Sequence, residues 1–172
     1  MNSEELKSLQ SPLKEKYRQS PESAIITLRS QGDLGQEISC KVTTGRAIVE
    51  AGLHPATGGT GFLACSGDML LDALVACAGV TLKAVATAIG IDIKNGIVKA
   101  EGDLDFKGTL GVSKEVSVGF KNIRLQFHLE SNANDEQMAS LKKLTERYCV
   151  VYQTLINGVE IETGFHKSDI SK

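Results

Sequence analysis

The stretch LLDALVACAGVTLKAVATAIG, Leu70 to Gly90, limits the fold more than any other part of this chain. It is apolar nearly all round. The pattern predicts a helix from about Asp68 to Ile89, stopped by Gly90, and a helix of this kind is buried on most sides. At 1.5 Å per residue it spans roughly 30 Å, about a domain diameter, so it reads as a central spine. Asp72 and Lys83 interrupt its apolar character, and no apolar run reaches membrane-spanning length on this reading. Cys77 lies in its middle. A cysteine there is either a small core residue or a reagent held away from bulk water.

A chain of 172 residues suits one domain with a true core. Aromatic residues make up 5% and Trp is absent, so the core must be aliphatic and rich in close-packed Ala and Gly. A net charge of -2 leaves no electrostatic footprint for nucleic acid or an anionic membrane. The opening MNSEELKSLQSPLKEKY is too polar for a signal peptide, and the expected location is cytoplasmic.

Along the chain, Glu4 to Tyr17 reads as a helix interrupted or restarted at Ser11-Pro12. Ser23 to Ser30 reads as a strand, QGDLGQ as a turn, EISCKVTTG as a second strand and Arg46 to Gly52 as a third. Leu53 to Asp68 reads as a loop whose Ser66-Gly67-Asp68 end caps the spine helix. Ile91 to Phe106 is a strand with a possible turn at Asn95-Gly96, KGTLGVSKE a turn, and Val116 to Ser131 an alternating, half-exposed strand. The stretch after Asn132 becomes one helix through Leu155, with Met138, Leu141, Leu144, Tyr148 and Val151 on one face. INGVEIETGFH closes as a turn and a last strand. The expected fold class is α+β, with residues 1–20 an N-terminal helical extension and 21–172 the main domain.

Four cysteines (Cys40, Cys65, Cys77 and Cys149) and three scattered histidines form no CxxC and no zinc-ligand spacing, so no metal or other cofactor is expected. GGTG, Gly58 to Gly61, lacks the following Lys-Ser/Thr of a phosphate loop. Cys77 and Cys149 both fall in expected helices. Two thiols on facing helices suit one chemistry: a thiolate attacks a peroxide O–O bond and becomes a sulfenic acid, and the second thiol condenses with it to a disulfide. That requires Cα atoms within about 7 Å, and a cation or hydrogen-bond donors to offset burial of the first thiol. On the residues alone, core filler and redox pair stay about equally balanced.

GDMLLDALVACAGVTLKAVA resembles the segment of the OsmC/Ohr family (osmotically inducible protein C and organic hydroperoxide resistance protein) that holds the peroxide-reacting cysteine. ERYCVVYQTL resembles the segment carrying its resolving cysteine. The resemblance runs over nearly all the chain after about Ser23. It implies an OsmC-like fold: antiparallel sheets around a long buried central helix, in an intertwined homodimer whose chains share sheets. It implies reduction of organic hydroperoxides with Cys77 as the peroxidatic and Cys149 as the resolving thiol. Electrons would come from a dithiol, in some members a protein-bound lipoyl group.

The family's best-studied peroxidases hold an Arg against the thiolate and orient it with a Glu ten positions before the Cys. Here that position is Gly67, and Asp68 follows it. Asp68 is expected either as a helix cap, the reading favoured by its residue type, or as the partner of that Arg. Arg29 is preferred for the Arg, with Arg46 the alternative. Val150 stands where many relatives have Pro. Cys65 reads as a loop residue, or as an alternative resolving thiol. His54 reads as a surface residue that could edge a pocket. Besides a peroxidase, the sequence is compatible with an OsmC-like protein that binds a small apolar ligand, or with a thiol redox sensor.

Overall fold

The computed structural model describes residues 2–25, 27, 31–34, 39–44 and 47–167, with only the backbone described at 21, 22, 31–34, 39–44 and 47. Helix α1 runs Ser3–Gln19, capped by a reciprocal pair in which the Asn2 side chain accepts from the Glu5 amide and the Glu5 carboxylate accepts from the Asn2 amide. It continues through Pro12, where the sequence suggested a break. A proline removes one backbone donor, and here the helix absorbs that loss. Pro21–Ala24 is a 3-10 turn, so Ser23 and Ala24 are not strand as expected. Most of Ile25 to Ser30, including Arg29, lies outside the described residues.

Strands β1 (Gln31–Leu34), β2 (Ser39–Thr44) and β3 (Ala47–Gly52) form an antiparallel meander, and the two-residue β4 (Ala64–Cys65) adds in parallel to β3. Gln31–Leu34, read from the sequence as a turn, pairs with Cys40 to Thr43. The hairpin exists but is shifted along the chain. Turn-type residues such as Gly32 and Asp33 hid its first arm, because strand propensity yields to pairing context.

Helix α2 is Ser66–Ile89. Gly90 ends it in the left-handed conformation (φ 76°), and the Ile91 amide reaches back to the Ala86 carbonyl at 2.9 Å. The anticipated side-chain cap is absent: Cys65 is the N-cap and makes no cap hydrogen bond. Strand β5 (Ile93–Leu104) and, after the short α3 (Phe106–Thr109), strand β6 (Phe120–Ser131) make a long antiparallel hairpin. β5 passes through Asn95-Gly96 without turning, with only a register irregularity there. On β6, Ile123, Leu125, Phe127 and Leu129 point inward and Lys121, Gln126 and His128 outward, the period-two pattern expected. Gly102 lets the Phe120 ring pass over β5, since a Cβ there would lie 2.4 Å from it. Arg124 bridges Asp103 and Glu101 on the solvent side of the hairpin.

The last helical stretch is two helices, α4 (Asp135–Tyr148) and α5 (Val150–Asn157), rather than one. Asn134 and Gln137 cap α4 reciprocally. Leu141 and Thr145 are its buried residues, whereas Tyr148, expected on the apolar face, is exposed. The core joins Leu82, Val85, Ala86, Ile91, Ile93 and Leu141 to Phe127, Leu129, Met138 and Leu144. Full burial of a Leu, Ile or Val side chain such as Leu82 or Leu141 contributes about 1.5–3 kcal/mol.

Three expectations about apolar segments change. α2 is long and apolar enough to cross a membrane by length and composition, despite Asp72 and Lys83. It nevertheless packs on β5, α4 and α5 as the spine of the protomer. It is also not buried on most sides. Leu74, Ala78, Leu82, Val85 and Ala86 face the core, while Ala73, Ala76 and Val80 face outward, Val80 at 72% exposure. Finally, residues 158–167 form no strand, and Val159, Ile161 and Phe165 stand exposed.

Candidate active site

Cys149 occupies the break between α4 and α5. Its extended backbone (φ -73°, ψ 108°) ends α4, where its amide donates to the Thr145 carbonyl at 3.0 Å. The same residue opens α5, its carbonyl accepting from the Gln153 amide at 2.9 Å. No side chain caps α5. Its first amides therefore carry the partial positive charge of a helix N-terminus and are left for the nearby sulfurs. Cys77, midway along α2, is delivered to this spot because α2 packs on both α4 and α5.

The two thiols are free and adjacent, and their ionisation is pushed apart. Burial is the largest influence on Cys77 and raises its pKa. It is outweighed by the Val151 amide, the Cys149 thiol, the Val150 amide and the Thr81 hydroxyl, so Cys77 ionises below the ordinary thiol range. Cys149, at 1% exposure, goes the other way. Burial leads, the developing charge on Cys77 adds to it, and the Tyr152 and Val151 amides only partly compensate. One thiolate beside one retained thiol is the division of labour that sulfenate formation followed by condensation needs.

The sequence pattern places Cys149 inside a helix; its position at a helix junction is what turns the α5 amides toward the sulfurs. Thr81 and the Val150 and Val151 amides were not singled out. Thr81 was within reach of helical spacing, one turn beyond Cys77. The amides were not, because their direction depends on the break at Cys149.

Asp68 is exposed in the first turn of α2, nine residues before Cys77 and so roughly 14 Å away along the helix. Arg29 and Arg46 lie outside the described residues. Cys65, at the α2 N-cap, is roughly 18 Å along the helix from Cys77 and does not reach it within the protomer. Cys65 and Asp68 instead line a hollow of about 360 Å³ with His54. His54 stacks on Phe106 at 4.9 Å and accepts from the Ala56 amide through Nδ1 at 3.0 Å. Among the described residues no group of His, Cys, Asp or Glu could hold a metal ion.

The model of the family described as OsmC-like protein matches residues 59–164, which takes in both cysteine segments and most of the structure from the β3–β4 loop onward. No curated protein matches the sequence. Among solved structures, an OsmC-like protein from Mycoplasma pneumoniae superposes with a TM-score of 0.64 at 19% identity, covering 78% of this chain and 89% of that one. An organic hydroperoxide resistance protein from Elizabethkingia anophelis gives 0.62 at 15% identity, with 79% and 92% covered. An organic hydroperoxide resistance protein, OsmC, from Legionella pneumophila gives 0.60 at 18%, with 78% and 91% covered. At these identities the likeness is one of fold. With both cysteine segments inside a family match that takes in more than half of its length, the chain belongs to the OsmC-like family.

Proposed function

We propose that this protein is a thiol-dependent peroxidase that reduces organic hydroperoxides through Cys77 and Cys149. The observation that carries the reading is the pair of adjacent free thiols with oppositely shifted ionisation at an uncapped helix N-terminus. The Cys77 thiolate attacks the terminal peroxide oxygen. The O–O bond breaks, the alkoxide leaves with a proton as ROH, and Cys77 becomes a sulfenic acid. The Cys149 sulfur then displaces hydroxide from that sulfur, releasing water and forming the disulfide. An external dithiol, free or as a protein-bound lipoyl group, takes up the oxidation and restores both thiols. In this scheme the α5 amides supply the thiolate stabilisation that sequence reasoning assigned to Arg29 or Arg46. Either Arg would add to it, with Asp68 as its orienting partner or simply as an acidic residue in the first turn of α2.

The working unit in this reading is a cytoplasmic homodimer. Two features support the assembly: the outward apolar face of α2, and the exposed alternation of Val159, Ile161 and Phe165, which suits a strand lacking a partner. The helix of residues 1–20 is an extension of the OsmC-like domain and packs in part on α2. Steady-state turnover of cumene hydroperoxide with a dithiol tests the function. Wild type should turn over and Cys77→Ser should be inactive. A Cys77→Ser protein with wild-type turnover would overturn the proposal.

A further inference from the structure

Helix α1 is well specified by its own residues, yet none of them is fully buried. Its first turn carries Glu4 and Glu5 and its last turn Lys16 and Arg18, the charges a helix dipole favours at each end. A lone helix of 17 residues is nevertheless marginal in water, and helices in proteins are held mainly by packing an apolar face.

Helical spacing sorts the apolar residues of α1 into two neighbouring strips. Leu6, Gln10 and Tyr17 share the first; all three are half-buried, and α1 rests on α2. Leu9 and Leu13, one turn apart, form the second and stand 60% and 48% exposed. Lys16 continues this second strip, and among the described residues no carboxylate pairs with it. Lys7 lies on the far side of the helix.

The charge pattern of α1 points to what covers Leu9 and Leu13. Glu4, Glu5 and Glu15 are mixed with Lys7, Lys14, Lys16 and Arg18, so α1 lacks the strongly basic face of a helix that lies on an anionic membrane. Acidic at its start and basic at its end, the helix is its own electrostatic complement when two copies run antiparallel, whereas a parallel pair would set like charges together. The apolar positions fit the same arrangement. In an antiparallel pair centred at the level of Ser11, Leu9 of each copy meets Leu13 of the other, and Lys16 comes alongside the acidic first turn. The support of α1 is α2, whose outward face joins the copies in the dimer proposed above, which keeps α1 beside that interface.

We infer that α1 pairs antiparallel with α1 of a second copy, Leu9 of each against Leu13 of the other. Two leucines a side supply less than the roughly 1,200 Å² of a stable interface, so this pair adds to the α2 face and does not replace it. The inference rests on the homodimer of the reading above, and its test reads association rather than turnover.

The test is sedimentation equilibrium of the reduced, full-length protein at low ionic strength. Leu9→Gln with Leu13→Gln, which keeps a good helix former at both positions, should raise the dimer Kd at least tenfold with the helix content by circular dichroism unchanged. Lys16→Glu should raise it about threefold or more. Lys7→Glu makes the same change of charge on the far side of α1 and should leave the dimer as in wild type. The inference is overturned if the double Gln variant dimerises like wild type, if Lys16→Glu and Lys7→Glu act equally, or if wild type is a monomer. Binding of wild type but not the double variant to anionic phospholipid vesicles, with the dimer Kd unchanged, would also overturn it, because lipid would then cover the leucines. A dimer broken by Val80→Asp but indifferent to the α1 variants would keep the proposed assembly and remove this pair alone. Turnover of cumene hydroperoxide decides the peroxidase reading separately.

Discussion

The two long faces of α2 are both apolar, yet they meet different surroundings. The inner face, Leu74–Ala78–Leu82–Val85, is closed over by β5 and α4. The outer face, Ala73–Ala76–Val80, meets no other described element of the chain closely enough to bury Val80. Cys77 sits on the border between them and is half-buried. The all-round apolar pattern of this helix therefore answers two demands. One is the core of the chain, and the other, in the dimer proposed above, is an assembly face. The thiol lies where the two meet, half-buried, with the Val150 and Val151 amides of α5 directed at it.

The strongest way to break the comparison is on the inner face. Leu82→Ala should destabilise the protomer by about 2–5 kcal/mol, as large-to-small core changes do, measured by urea unfolding. Val80→Ala on the outer face should leave that protomer stability within about 0.5 kcal/mol. Val80→Asp sharpens the contrast. Sedimentation equilibrium should show it monomeric and folded where wild type is a dimer. A wild-type monomer, or a Val80→Asp dimer, would remove the assembly role of this face.

A smaller effect comes from the border. Cys77 should alkylate with a half-point below the ordinary thiol range and Cys149 above it, read by mass spectrometry across pH. The sign for stability follows. The depressed Cys77 pKa contributes stability that is fully present above the ordinary thiol range and is lost as pH falls through the folded-state value. The raised Cys149 pKa acts in the opposite direction: burial, with the Cys77 charge behind it, disfavours its ionisation, so its contribution is present below the ordinary thiol range and is lost as pH rises through the folded-state value. Smaller again, Asn134→Ala should cost about 1 kcal/mol by removing the α4 cap, with no change in the alkylation profile.

Much of this was legible before any coordinates. The spine helix follows from its composition and Gly90, and β6 from strict alternation. The two cysteine segments carried the family resemblance. What escaped had a common physical origin. YCVVYQTL continues a helical apolar pattern, so nothing in that pattern announces the break at Cys149, on either side of which α4 and α5 both pack on α2. Gln31–Leu34 is composed like a turn and becomes strand only because β2 pairs with it. The exposure of Val80 and of residues 159–165 is invisible to a pattern that reports apolarity but not its partner.

The central claim is that Cys77 and Cys149 form one redox unit. Treating the reduced protein with one equivalent of cumene hydroperoxide and mapping its peptides tests this most directly. The account predicts a Cys77–Cys149 disulfide in nearly all chains, with Cys65 still free. Two unmodified thiols, or a Cys77 that stops at sulfinic acid while Cys149 stays reduced, would contradict it.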